Sequence, residues 1–330
     1  MATSTTAVPV ADIAGGRSES QWQIVVRRFR KHKIAVFCLW LLGAMLILSA
    51  LAPVLAPFPR DEPNLKTRFV PPFTTDEQGN FRVLGTDHLG RDFFTRLLYA
   101  SRVSLGTALI ATIISSVIGV VLGMLAGYFG GWVDTLISRI LEVVATFPLF
   151  LLLLILSSIL VQNINSVPLP DFFVRFLAWI FTVSEREARG IFAIVMLLAL
   201  LGWTGTARLM RGMVLSVREN LYIESARALG ASSSRILTKH VFPNSLPPMI
   251  VDFTLVVNGT LVTESGLSFL GFGIQDPTPT WGNMLAFAQS YMFQHPWMPL
   301  IPSLPILIAS IAINYIGDGL RDALDPRQRI

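Results

Sequence analysis

The chain has 330 residues, of which 52% are hydrophobic and 14% are charged, and its formal net charge is +5. An ordinary soluble globule carries about 25% charged residues, so the composition excludes that class. The positive charge does not indicate nucleic-acid binding, because the basic residues lie where the topology of a membrane protein would place them. The single cysteine, Cys38, excludes a disulfide framework. The histidines show no metal-ligand spacing; they are His32, His88, His240 and His295.

Long runs without Asp, Glu, Lys or Arg indicate transmembrane helices; they are residues 34–59, 103–133, 143–170, 190–207 and 277–317. A helix needs about 20 apolar residues to cross the hydrocarbon core, so most of these runs can span it, and the last has room for a loop as well. The sequence therefore predicts an all-α membrane protein with six transmembrane helices, at residues 34–56, 103–128, 136–161, 191–210, 244–269 and 302–320.

The basic residues predict the orientation of these helices. A basic cluster at residues 27–33 precedes the first helix, and the short loop 275–298 has no Lys or Arg. Because Lys and Arg favour the cytoplasmic side, we expect both termini in the cytoplasm and residues 1–26 to be flexible there. The outer loops are then residues 57–102 and 162–190. Residues 50–52 could instead end a cleaved signal peptide, but the apolar run is too long for one and Pro53 follows directly.

The second outer loop contains an amphipathic pattern. Phe172, Phe176, Trp179 and Val183 fall on one helical stripe. A helix over residues 172–183 is too short to cross a bilayer, so the pattern predicts an interfacial helix. A half-inserted seventh helix is the alternative.

A polar segment, residues 222–244, interrupts the apolar chain and falls on the predicted cytoplasmic side. Asn220 is the predicted cap of a short helix over residues 221–229, and Gly230 supplies the left-handed residue that ends it. Ser232 can cap a second short helix through Lys239.

Pro243 is expected to stop that second helix before the fifth transmembrane helix. Small residues along the first short helix add little side-chain bulk to its surface, so another protein could approach it closely. They are Ser225, Ala226, Ala228, Gly230 and Ala231. The alternative interpretation is a solvated connector between two membrane helices.

The polar segment resembles the EAA motif of ABC importer permeases. Glu224-Ser225-Ala226 is followed after three residues by Gly230, and Pro243 lies further along. The family pattern has Ala, Ile and Leu where this chain has Ser225, His240 and Phe242. The resemblance implies that the segment is a coupling helix that docks in a cleft of an ATPase subunit.

Other blocks resemble the C-type permease subunit of oligopeptide, dipeptide and nickel importers. They are residues 84–105, residues 263–285, Gly130-Gly131-Trp132 with Asp134, residues 318–322, and Asp325-Pro326. The resemblance covers residues 27–327. The segment 162–189 departs from the resemblance, because it is longer than the corresponding segment in the family.

This resemblance implies a type I ABC importer transmembrane domain over residues 27–330, with a cytoplasmic coupling loop at residues 211–243. It assigns ATPase coupling to Tyr222, Glu224, Ser225, Ala226, Arg227, Ala228, Leu229, Gly230, Ala231 and Pro243. The implied partners are a homologous permease, two ABC ATPases and an extracytoplasmic solute-binding protein. The expected cargo is peptides or similar small solutes, and no cofactor, metal or catalytic residue is expected.

Several residues within the predicted helices have two interpretations. Gly119, Gly123 and Gly127 share one helix face, which predicts packing within the bundle or, alternatively, against a partner permease. Pro148 is expected to kink the third helix. Glu142 is expected to pair with Arg139 at i to i+3 spacing.

Ionisable residues inside a membrane span are functional candidates. Asp252 and Glu264 differ by about 120° around the helix, so they do not form one proton-binding pair. A capping or gate contact is expected for Glu264 at the outer end. Asp87, Arg91 and Asp92 are expected to fix a turn that leads into the second helix.

Two rival functions remain. A self-contained secondary transporter would show internal repeats and midplane ion sites, and neither is evident. An intramembrane hydrolase lacks its motifs here, since no HExxH or GxSxG occurs. No lysine follows a glycine (Lys31, Lys33, Lys66 and Lys239), so the chain has no phosphate-binding GxxxxGK[ST] loop.

Overall fold

A computed structural model of the chain describes residues 21–163 and 170–325. Within these ranges the α-helices are α1 (Gln21–Lys31), α2 (Lys33–Ala50), α3 (Ala52–Leu55), α4 (Phe93–Phe129), α5 (Gly131–Thr146), α6 (Leu149–Gln162), α7 (Asp171–Phe181), α8 (Glu185–Val217), α9 (Leu221–Ala228), α10 (Ser233–Ile236), α11 (Phe242–Phe269), α12 (Trp281–Gln289) and α13 (Trp297–Leu324). A short hairpin pairs β1 (Thr74–Thr75) with β2 (Phe81–Arg82).

Five helical stretches in the described residues are long and apolar enough to cross a membrane: α2, α4, α8, the continuous run Ser233–Phe269 and α13. A sixth crossing follows if α5 and α6 form one span, although their axes meet at 85°. Phe147 has extended backbone at this break, and Pro148, with a φ of -58° and a ψ of 111°, is not helical either. The predicted kink at Pro148 is therefore a break between two helices.

The glycine stripe of α4 packs inside the chain against α8. A Cβ added at Gly123 would lie 2.6 Å from the Ala207 carbonyl oxygen, and one at Gly119 would lie 2.8 Å from Trp203. Gly127 meets Val214 in the same way, at 2.7 Å. The two backbones approach this closely only because no side chain stands between them, which confirms packing within the bundle.

The long helices extend beyond the apolar runs that predicted them. Helix α4 begins at Phe93, where the Asp92 carboxylate accepts from Thr95 N at 2.8 Å, and α8 begins at a capping box between Ser184 and Glu187. The Glu187 carboxylate also accepts from Arg60 at 2.8 Å. These helices can extend through charged residues because other residues of the same chain neutralise the charges.

Helix α1 and the end of α13 lie together. The Arg28 guanidinium donates to the Asp325 carbonyl oxygen at 3.0 Å, and the Phe29 ring would be 3.2 Å from a Cβ at Gly319. Both described ends of the chain are thus on the same side of the bundle. The predicted flexible segment overlaps α1, since residues 21–26 are helical; residues 1–20 lie outside the described residues.

Residues 57–92 and 270–296 cover one end of the bundle and are called the cap. The cap contains the hairpin and α12, neither of which was predicted. Helix α7 was predicted by its aromatic stripe, and Phe172 and Trp179 are 74% and 78% exposed. Its other face, Val174, Leu177 and Phe181, is buried in the core beside α8. Residues 164–169 of the predicted outer loop lie outside the described residues.

Candidate functional site: the polar segment

The polar segment forms a compact helical hairpin at the end of the bundle opposite the cap. Gly230 lies just past the end of α9, and its φ of +78° is the left-handed conformation that the sequence predicted. Its turn is closed by the Ala231 amide, which donates to the Ala226 carbonyl oxygen at 3.0 Å. The Ser232 hydroxyl then accepts from Arg235 N and begins α10, which confirms the predicted second cap.

Two details of the predicted segment are wrong. Asn220 lies at the N-cap position of α9, but its side-chain oxygen accepts no backbone amide there; its side-chain nitrogen donates to the Val217 carbonyl oxygen at 3.0 Å. Pro243 does not stop a helix. A π-helical turn, Leu237–Val241, carries the chain directly into α11, and Pro243 lies in the first turn of α11. Proline has no backbone N–H, so one helical hydrogen bond is missing where the π-helical turn joins α11.

A small apolar cluster fixes the polar segment to the bundle. Ile223, Ile236 and Val241 are each 0% exposed. They pack with residues of the ends of α8 and α11, namely Met210, Val214, Val217 and Met249. A displacement of α9 must therefore displace the ends of those helices as well.

The opposite face of the segment is open. Leu229 is 89% exposed, Leu221 is 80% exposed and Tyr222 is 44% exposed. Most other residues assigned to coupling by the resemblance are also exposed, and Ala226 and Ala231 are half-buried; the exposed ones are Glu224, Ser225, Arg227, Ala228, Gly230 and Pro243. Leucines this exposed at the tip of a turn are typical of an interaction surface.

Polar contacts join the segment to neighbouring helix ends. The Arg227 guanidinium lies 5.8 Å from the centre of the Tyr128 ring at the end of α4. The Asn244 amide donates to the His240 carbonyl oxygen at 2.6 Å and contacts the Tyr222 hydroxyl at 3.4 Å. The Asp134 carboxylate of α5 accepts from both Arg211 Nε, at 2.5 Å, and Arg211 Nη2, at 2.7 Å. The ends of α4, α5, α8 and α11 thus meet around the segment.

The acidic residues within the span have separate partners. Asp252 accepts from the Thr206 hydroxyl at 2.7 Å, whereas Glu264 accepts from the Ser268 hydroxyl at 2.8 Å. Glu264 is fully buried, and its Oε2 has no hydrogen-bond partner among the described residues. Glu142 pairs with Arg139 at 2.9 Å, as predicted.

The cap contains a turn that was predicted and an ion-pair network that was not. Asp87 accepts from the amides of Leu89, at 2.8 Å, and Arg91, at 2.9 Å, which confirms the turn before α4. Asp276 is bound by Arg91 at 3.0 Å and by Arg96 at 2.8 Å. No sequence signal could pair residues so distant along the chain.

The charge of Asp276 is stabilised by these arginines. Burial alone would raise the pKa of Asp276, but the positive charges of Arg96 and Arg91 outweigh it and hold the pKa below its ordinary value. In the described residues, no group of His, Cys, Asp and Glu could hold a metal ion.

The chain matches two families of membrane transport proteins. Residues 119–330 match the family described as binding-protein-dependent transport system inner membrane component. Residues 20–72 match the N-terminal transmembrane domain of oligopeptide transport permease C. The first match alone covers more than half of the chain. The chain belongs to this inner-membrane component family.

Curated relatives match the inner-membrane component over nearly its full length. The dipeptide transport system permease protein DppC of Alkalihalophilus pseudofirmus is 32% identical, over 94% of this chain and 91% of its own. The oligopeptide transport system permease protein OppC of Bacillus subtilis is 30% identical, over 95% of this chain and 92% of its own. The predicted family resemblance is confirmed.

A solved structure shares the fold of this inner-membrane component. A chain of the inward-facing MetNI methionine ABC transporter superposes with a TM-score of 0.50 and 18% identity, over 70% of this chain and 96% of that one. Together with the candidate spans, this confirms the predicted fold class, the transmembrane domain of a type I ABC importer. The chain is a multi-pass membrane protein.

Proposed function

We propose that this chain is the permease subunit of an ATP-driven importer that moves peptides or similar small solutes across the cell membrane. The observation that carries the proposal is the polar segment, which is exposed at its tip and anchored at its base to the ends of several membrane helices. The names of the DppC and OppC relatives support the choice of peptides as cargo.

ATP hydrolysis belongs to partner subunits in this proposal, and the chain itself is not an enzyme. The chain has no phosphate-binding lysine loop, so the energy must enter through a contact with another protein. Two ABC ATPases, a homologous permease and an extracytoplasmic solute-binding protein complete the proposed transporter. The two permeases would form a heterodimer.

An apolar groove of about 570 Å³ supports the homologous permease as a partner. The groove lies between α4 and α11, and its walls include Ile113, Val117, Val121, Met124, Ile250 and Phe253. Val117 remains 59% exposed at the middle of α4. A second helical subunit can cover this face.

The proposed coupling residues act as one rigid contact: Tyr222, Glu224, Ser225, Ala226, Arg227, Ala228, Leu229, Gly230, Ala231 and Pro243. When the ATPases close, they displace α9. Because Ile223 and Ile236 fix α9 to the ends of α8 and α11, those helices tilt with it. The tilt exchanges inward-facing and outward-facing states by rigid-body movement.

The proposed orientation places both chain termini and the polar segment in the cytoplasm and the cap outside. The contact between Arg28 and Asp325 keeps the two described ends on one side. The lack of Lys and Arg in residues 275–298, which belong largely to the cap, favours the outer side for that end.

A cysteine-labelling experiment tests both the orientation and the docking surface. Cys38, the only cysteine, is first replaced by Ser. A cysteine is then placed at Leu229, which is 89% exposed, or at the matched cap residue Phe293, which is 91% exposed. We expect Leu229→Cys to crosslink to a co-expressed ATPase and to resist outside labelling by a membrane-impermeant maleimide. Phe293→Cys should react from outside and should not crosslink.

Labelling of Leu229→Cys from outside would overturn the proposal. A self-contained secondary transporter is the competing function, and it predicts cargo uptake by this chain when no ATPase is present. Uptake by the chain reconstituted alone in vesicles would favour that competitor.

A further inference from the structure

An open cavity of about 830 Å³ lies beside the cap, between α2–α3, the part of α4 around Arg102 and Gly106, and the end of α7. Apolar residues form most of its walls, including Leu46, Ala50, Pro53, Trp179, Ile180 and Phe181. Arg60 and Arg102 also line it. The cavity shares no lining residue with the apolar groove between α4 and α11. It is therefore separate from the face assigned to the homologous permease.

The two arginines have unused donors. Arg60 binds Asp61 at 2.5 Å and Glu187 at 2.8 Å through Nη2, yet its Nη1 is shielded from solvent and has no partner in the described residues. Arg102 forms no ion pair within the same residues, and its Nη1 is likewise shielded and unpartnered. A shielded guanidinium nitrogen without an acceptor is costly. Both side chains also line the cavity, so an anion bound there would supply an acceptor to their guanidinium groups.

The chain itself offers no obvious carboxylate for Arg102. Residues 164–169, which precede α7, contain no Asp or Glu. Residues 326–330 also contain none. Residues 1–20 contain Asp12 and Glu19, but they precede α1, which packs with the end of α13 at the opposite end of the bundle. The missing acceptor is therefore expected to come from a bound molecule.

The cavity lies at the depth of the lipid headgroups. Arg60 is the first charged residue after the run 34–59, and Arg102 is the last charged residue before the run 103–133. Both therefore mark the border of the hydrocarbon core. Trp179 on the cavity wall is 78% exposed, and tryptophan is enriched at this interface.

We propose that this cavity binds an anionic phospholipid, whose phosphodiester accepts hydrogen bonds from Arg102 and Arg60. Guanidinium groups match phosphate geometry and form strong charge-assisted hydrogen bonds with it. The apolar walls contributed by α2 and α7 receive the upper parts of the acyl chains. A lipid bound here connects α2–α3, α4 and α7.

Native mass spectrometry of the purified transporter, this chain with its assembled partner subunits, tests the proposal after delipidation. Phosphatidylglycerol and phosphatidylcholine are added back separately, and inorganic phosphate is added as a competitor. We expect phosphatidylglycerol to be retained about tenfold better by the wild type than by Arg102→Gln, a loss on the scale of one charge-assisted hydrogen bond. Phosphatidylcholine and inorganic phosphate should bind poorly.

Two further variants control for general effects. Arg175→Gln removes an arginine of α7 that is 74% exposed and does not line the cavity, so it should retain phosphatidylglycerol like the wild type. Ala50→Trp fills the cavity without changing either arginine, so it should lower retention. If Arg102→Gln fails to assemble, Ala50→Trp decides the result.

Equal retention of phosphatidylglycerol by the wild type and Ala50→Trp would overturn the proposal. Displacement of phosphatidylglycerol by inorganic phosphate at equal concentration would overturn the proposal, because it would show that the site binds a free anion rather than a lipid. Equal retention of phosphatidylcholine would show that the headgroup charge is not recognised, which also overturns it.

Discussion

At the scale of single residues, Asp276 joins two distant parts of the cap. Arg91 donates to both oxygens of its carboxylate and Arg96 donates to Oδ1, and the two arginine side chains are only 3% and 2% exposed. Neither arginine can recover water if the carboxylate is lost. Removing one partner of a buried ion pair therefore costs more stability than the intact pair contributes.

Asp276→Asn should destabilise the cap. We expect a loss of about 3 kcal/mol, the low end for breaking a buried ion pair, because the Asp276 side chain keeps 32% exposure. The measurement is the apparent melting temperature of the purified transporter in detergent. Asp171→Asn is the control, since Asp171 is 76% exposed and lies 3.7 Å from Arg189. Equal melting temperatures for the two variants would contradict the assignment.

At the scale of elements, α4 and α8 form the closest helix pair of the bundle. Glycines at i, i+4 and i+8 let the α4 backbone touch the α8 backbone over two turns. The polar segment then begins where α8 ends. Helix packing and the proposed coupling therefore use glycine for different reasons, close approach in α4 and a left-handed backbone at Gly230.

Gly123→Ala should weaken the contact between α4 and α8. The new methyl group would lie 2.6 Å from the Ala207 carbonyl oxygen and 2.7 Å from Met210, and we expect overpacking to cost about 1–3 kcal/mol. Thermal unfolding of the purified protein in detergent measures this loss of stability. Gly212→Ala is the matched control in α8, where nothing lies within 4 Å of the added Cβ. A Gly123→Ala variant as stable as the control would refute the close approach.

Gly230→Val should abolish ATP-driven uptake while the protein still inserts and assembles. The left-handed conformation costs a β-branched residue about 1–2 kcal/mol, and the new side chain projects from the docking face. Gly79→Val is the control, because Gly79 has a φ of +84° and equally open space in the cap. Uptake of labelled peptide into vesicles, compared with membrane insertion, measures the effect. Wild-type uptake by Gly230→Val would count against coupling through this turn.

At the scale of the whole molecule, α4 connects the two functional ends. Its 37 residues rise about 55 Å, from the ion pairs of the cap to the Tyr128 ring beside Arg227. The described ends of the chain lie together through α1 and α13. In the proposed mechanism, a movement of the polar segment would be transmitted by continuous helices rather than by loops.

The stability of the cap should fall in acid. Burial raises the pKa values of both Asp76 and Asp276, but hydrogen bonds to Asp76 and arginine charges beside Asp276 more than reverse this and lower both. Groups with a lowered folded-state pKa stabilise the protein above the ordinary carboxyl pKa of about 4 and lose that contribution as the pH falls through the lower value. Melting temperatures between pH 5 and pH 3 should decline, and less steeply for Asp276→Asn. If the melting temperatures of the wild type and Asp276→Asn declined in parallel, the lowered pKa of Asp276 would be contradicted.

Local features of the polar segment were predictable from the sequence. Gly230 and Ser232 took their predicted conformations, because a helix stop and a helix cap depend on a few neighbouring residues. Asn220 and Pro243 did not: the Asn220 side chain donates to the Val217 carbonyl oxygen without capping α9, and a continuous π-helical turn replaces the expected stop at Pro243. The coupling role itself stays a prediction.

Charge-free runs predicted the approximate positions of the membrane helices, because burial in lipid acts on each segment separately. Five of the described helical stretches can span, and the predicted sixth span depends on α5 and α6 acting together. The tertiary structure alone decided where α4 and α8 begin, how Asp276 joins the cap and which face of the glycine stripe is covered. Each of these depends on partners far away in the chain. Sequence periodicity specifies which residues avoid water, whereas only the packed bundle specifies which residues meet.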